Sequence, residues 1–149
     1  MSCDAVASVA LLWLAATAPD SHATAPERTE RPTAVALEPL FADIVQRAGA
    51  LKAQAEALKA GSDPVGEAFR RQVGELSALD MKGHVTLAQR GTDGDLKCIL
   101  KGISEDLPLK LAAVDEAKTP AARADALSDM IYLLNDNVEV ITAPPQPPV

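Results

Sequence analysis

Four apolar stripes at helical spacing, each bounded by Gly, Pro or an Asp/Thr cap, constrain this chain more than any other feature. The first runs from Pro39 to Lys59 and places Leu40, Ile44, Ala48, Leu51, Ala55 and Leu58 at steps of three and four. Such steps put side chains on one face of an α-helix. Gly61 is expected to end it in a left-handed conformation. Asp63 and Pro64 then read as the cap and first turn of a second helix, with a stripe of Val65, Phe69, Gln72/Val73, Leu76, Leu79, Gly83 and Leu87. Gly91 closes it.

A third helix is expected to start at Asp93 or Asp95, carrying Leu96, Ile99/Leu100, Ile103, Leu107, Leu111 and Val114. Pro108 falls inside it and predicts a bend, because proline lacks the N–H of an interior turn. Thr119-Pro120 opens the fourth, whose core face is Ala124, Leu127, Met130/Ile131, Leu134, Val138 and Ile141. Connections this short make sequential helices antiparallel. The expected fold is all-α, a four-helix bundle running up-down-up-down over residues 39–142.

Composition agrees with that reading. Of the 149 residues 48% are hydrophobic but only 3% are aromatic, so the core must be aliphatic. Scarce aromatic and β-branched residues argue against a sandwich or barrel. A formal charge of −7 argues against a nucleic-acid partner, which requires a basic footprint.

The N-terminal apolar run, Ala5 to Ala18, is shorter than the roughly 20 residues of a bilayer-spanning helix. Its length suits a secretory signal over residues 1–25, with Ala23-Thr24-Ala25 as the cleavage site, although Met1-Ser2-Cys3-Asp4 carries no basic residue. Export to a periplasm or medium follows as an expectation, with no stable membrane span after removal. Cleavage would take Cys3, Trp13, His22, Asp4 and Asp20, moving the formal charge from −7 to −5. Residues 26–38 have the Pro, Thr and charge content of a flexible linker. Residues 143–149 (APPQPPV) read as a Pro-rich extended tail.

Few residues carry chemistry. No Cys-x-x-Cys-His, His-Glu-x-x-His, phosphate-binding glycine loop or paired-cysteine zinc motif occurs, so the reading is non-enzymatic. Gly91-Thr92-Asp93-Gly94-Asp95 is a capping turn rather than a calcium loop, which needs a longer ligand set. Cys98 shares an outer stripe of the third helix with Gly102, Glu105 and Leu109. It reads as a small hydrophobe, a homodimer contact or a reactive thiol, since a helix N-terminus with Lys97 and Lys101 nearby favours thiolate. His84 follows Asp80 by one helical turn, so a carboxylate–imidazole pair on an outer face is expected.

The stretch Leu134-Asn135-Asp136-Asn137-Val138-Glu139-Val140-Ile141 resembles a segment near the start of cytochrome b562. That resemblance puts the family's methionine ligand on Ile131 and finds no counterpart for its C-terminal histidine. The alternative to a protein-contact function is therefore a haem b or other ligand carrier using His84 and Met130. The leading reading is an accessory or interaction protein, binding a protein partner or a second copy of itself through the Cys98, Gly102, Glu105 and Leu109 stripe.

Overall fold

In the computed structural model, residues 33–91 and 94–143 are described. The proposed signal segment, most of the linker, Thr92, Asp93 and the tail from Pro144 lie outside them. A short 3₁₀ turn, Val35–Leu37, precedes four helices: α1 (Pro39–Ala60), α2 (Glu67–Arg90), α3 (Gly94–Glu116) and α4 (Pro120–Thr142). Each packs on two others, α1 on α2, α2 on α3, α3 on α4 and α4 on α1. This ring is the up-down-up-down bundle that the short connections require.

Cross-helix bonds give the directions. Between α2 and α3, Ser77 meets Ser104 and, two turns on, His84 meets Lys97, so residue numbers rise on one helix as they fall on the other. Between α1 and α2, Arg47 reaches Glu75 and Gln54 reaches Gln72. Between α1 and α4, Lys52 reaches Asn135 while Arg123 reaches the Leu58 carbonyl.

The core follows steps of three and four: Phe41, Ile44, Ala48, Leu51 and Ala55 on α1, and Phe69, Val73, Leu76, Gly83 and Leu87 on α2. Leu100, Ile103, Leu107 and Val114 of α3 meet Leu127, Met130, Leu134 and Ile141 of α4. An average step near 3.5 keeps one seam facing inward along nearly parallel helices. Phe41, beside the half-buried Leu40, completes the α1 stripe.

Two expectations about helix ends need correction. Gly61 ends α1 with φ −101° and ψ −174°, an extended rather than left-handed conformation, whereas Gly91 closes α2 at φ 68°. Helix α2 starts at Glu67 behind Gly66, not at Pro64. Side chains claim the intervening backbone: Arg123 of α4 donates to the Asp63 carbonyl at 2.5 Å, and Arg70 of α2 itself to the Val65 carbonyl at 3.1 Å. Helix α3, in turn, continues through Pro108. Proline there cannot bond the Ser104 carbonyl one turn back, and the Ser77 hydroxyl of α2 donates to that same carbonyl at 2.7 Å. A neighbouring helix thus satisfies the acceptor that proline leaves open.

The end of the segment read as linker is held against the bundle. Thr33 Oγ1 donates to the Ile141 carbonyl at 2.6 Å and accepts from Ala36 N. Arg90 donates to both Glu38 oxygens, at 2.8 and 2.7 Å, and holds that carboxyl below its ordinary value. Thr119 caps α4 as expected, its hydroxyl accepting from Ala122 N at 3.1 Å.

Two glycines test the packing in opposite directions. Gly74 is exposed in mid-helix with open space where a Cβ would stand. Gly74→Ala is expected to stabilise the fold by about 0.5–1 kcal/mol. At Gly83 a Cβ would lie 3.1 Å from Leu100 Cδ1 and 3.3 Å from both Ile44 Cδ1 and Phe41 Cε1. Gly83→Val should therefore cost about 1–3 kcal/mol by overpacking. Denaturant midpoints of the two variants are expected to move apart.

Candidate functional site

The apolar stripes of α2 and α4 are each interrupted by one polar residue. On α2 the steps Val73, Leu76, Asp80, Gly83, Leu87 put Asp80 in line with the core, and on α4 the steps Met130, Leu134, Asn137, Ile141 do the same for Asn137. Both side chains are fully buried. Helices α2 and α4 sit diagonally across the bundle, and these two residues meet between them. Asn137 Nδ2 donates to Asp80 Oδ2 at 2.8 Å, leaving Asp80 Oδ1 and Asn137 Oδ1 buried without a partner.

Burial of this kind penalises the charged form of a carboxyl, because the interior replaces the water that solvates an anion. It pushes the Asp80 carboxyl up to about 7, and the hydrogen bond from Asn137 offsets only part of that rise. No charged neighbour contributes.

The expected pairing of Asp80 with His84 is not formed. His84 sits half-buried on the flank of α2, with Nδ1 2.7 Å from the Lys97 carbonyl of α3. A carbonyl only accepts, so Nδ1 carries the hydrogen of that bond. Two turns away on the same flank, Ser77 and Ser104 exchange hydroxyl-to-carbonyl bonds at 2.7 and 2.8 Å. His84 is thereby part of a polar α2–α3 seam, about 40° around the helix from Asp80. Met130, its proposed companion as a haem ligand, is fully buried among the aliphatic core residues of α4. Among the described residues no group of three or more His, Cys, Asp or Glu is placed to hold a metal ion.

The outer face of α3 carries the stripe singled out in the sequence. Cys98 and Gly102 are half-buried, Glu105 and Leu109 exposed. Cys98 is disulfide-bonded rather than a free thiol, which corrects the reactive-thiol expectation. Leu109 is 65% exposed and Tyr132, on α4, 73% exposed. A groove between α1 and α2 is lined by Asp43, Arg47, Gln54, Arg71 and Glu75, whose charges pair with one another: Arg47 bridges Asp43 and Glu75, and Arg71 reaches Glu75.

Sequence reasoning missed the Asp80–Asn137 pair, although its signal was present. Both residues occupy the three-four register of their own stripes, where a polar residue interrupts an apolar seam. The one-turn spacing from His84 points instead to an outer-face pair.

Removing one member of the pair tests it. Asn137→Leu strands the Asp80 carboxyl in the core and is expected to cost about 2–3 kcal/mol. Asp80→Leu combined with Asn137→Leu should recover much of that loss, giving a coupling above about 1 kcal/mol in a double-mutant cycle read by denaturant unfolding. No protein-family model, no curated protein and no solved structure matches this chain.

Proposed function

We propose that this chain is a non-enzymatic helical bundle that works by protein contact, with the outer face of α3 and α4 as its binding surface and a second copy of the chain as its first partner. One observation carries the reading: two large apolar side chains, Leu109 and Tyr132, stand exposed on adjacent helices. Each lies about 200° around its helix from the buried residue two positions before it, Leu107 and Met130, and so points away from the core. The Lys110–Asp129 ion pair fixes the local α3–α4 register and places both within about one turn of that bridge.

Single exposed apolar residues are ordinary on a protein surface, but neighbouring ones mark contact surfaces. Tyrosine is also enriched where interfaces are energetically important. Glu105 and Leu109, from the stripe named in the sequence, fall on this face; Cys98 and Gly102 extend it toward the start of α3. Export remains an expectation from the Ala5–Ala18 run.

Sedimentation velocity over a concentration series tests the reading. Wild type is expected to dimerise, and Leu109→Lys with Tyr132→Lys to weaken the dimer by at least about tenfold while helical content is kept. A wild type that sediments as a monomer at every concentration contradicts self-association. A dimer untouched by the double substitution places the interface elsewhere.

A further inference from the structure

The centre of the bundle contains an unbalanced set of hydrogen-bonding groups. Carboxyl and primary amide have the same planar, two-pronged shape, and one prong of each is already joined, Asn137 Nδ2 to Asp80 Oδ2 at 2.8 Å. The other prongs, Asp80 Oδ1 and Asn137 Oδ1, are both acceptors, both buried and both without a partner. Two acceptors cannot satisfy each other, and leaving both empty in an apolar core costs the desolvation of each. A single hydrogen between them removes both defects. Only a protonated carboxyl supplies it from within the pair.

We propose that Asp80 and Asn137 form a proton-held latch: Asp80 Oδ1 carries a proton and donates it to Asn137 Oδ1, Asn137 Nδ2 donates in return to Asp80 Oδ2, and loss of that proton to solvent loosens α2 from α4. The closed form is a ring of two reciprocal hydrogen bonds with no charge in it. The open form puts an anion in the core beside an amide oxygen that repels it. Opening requires only that one proton leave for water.

Among the described residues, the surroundings supply no counter-charge. From α1 the core presents Phe41, Ile44, Ala48 and Leu51, and from α3 Leu100, Ile103, Leu107 and the hydroxyl of Ser104. The ionisable groups of the same levels are engaged at the periphery or lie on the flanks. Lys52 of α1 donates to Asn135, Asp43 pairs with Arg47, and Lys101 of α3 pairs with Glu105. Lys97 of α3 and Lys82 of α2 are not among the buried residues, nor are Asp136 and Glu139 of α4, and His84 bonds the Lys97 carbonyl. Burial and the Asn137 amide alone set the ionisation of Asp80.

The sign of the effect follows. Asp80 holds its proton more tightly folded than unfolded, so the folded chain binds one more proton between the two pKa values and stability falls as pH rises through that window. The stabilisation is complete below the unfolded value and is lost once pH has passed the folded value, about 7.

Denaturant unfolding of wild type and Asp80→Asn across pH 5 to 8 tests the latch. Asparagine at position 80 offers the donor of the protonated acid permanently. Relative to Asp80→Asn, the wild-type unfolding constant is expected to rise by about a hundredfold over that range, and the variant to be the more stable at pH 8. Parallel pH responses of the two proteins overturn the proposal. Should Asp80→Asn fail to fold, infrared spectra of wild type carrying ¹³C-labelled aspartate decide. A protonated aspartate carboxyl band at pH 6 that vanishes by pH 9 supports the latch, and ionised aspartate alone at pH 6 refutes it.

Discussion

A carboxyl group at the middle of an aliphatic bundle must be neutralised or paired, and that requirement governs how the helices of this protein meet. Asp80 and Asn137 belong to diagonal helices, which share no other polar contact among the described residues. Their hydrogen bond forms only when α2 and α4 are in the correct register, because sliding either helix by one turn buries a polar group against leucine. The pair thus opposes the alternatives that four similar aliphatic stripes would otherwise tolerate. Register selection is the best-attested use of a buried polar residue in helical assemblies.

The α2–α3 boundary shows a second device of the same kind. Pro108 removes a donor from α3, and Ser77 of α2 supplies one to the Ser104 carbonyl. Ser104 returns a bond to the Ser77 carbonyl, and His84 repeats the theme two turns away at Lys97. Each of these bonds reaches the backbone of the opposing helix, which demands that the two axes lie close. The small side chain at Gly83 permits the same closeness toward α1 and α3. Aliphatic burial drives this bundle together, and a few short polar groups decide where it stops.

Much of this was legible in the amino-acid sequence. The stripes on Ile44, Leu51, Val73, Leu87, Leu107 and Leu134 are core residues as their spacing requires, and Thr119 and Gly91 cap where expected. The start of α2 was not legible, because the Arg123 bond to the Asp63 carbonyl joins residues distant in sequence. The donor that meets the Ser104 carbonyl beneath Pro108 likewise comes from another helix. The central pair was hidden by a competing local pattern. One-turn spacing made Asp80 and His84 look like partners, whereas Asp80 lies in the buried seam and His84 on its flank. Partner choice across a bundle diagonal is a tertiary property that a single helical wheel does not contain.

These features describe a bundle with one polar pair at its centre and with Leu109 and Tyr132 exposed on adjacent helices. The central claim is that the interior pair is a neutral acid–amide ring. The most direct measurement is an NMR titration of the Asp80 carboxyl ¹³C resonance in the folded protein. The account predicts the shift of a protonated carboxyl at pH 5.5, titrating near neutrality, about 7. A carboxylate shift already at pH 5.5, unchanged up to pH 8, would contradict it.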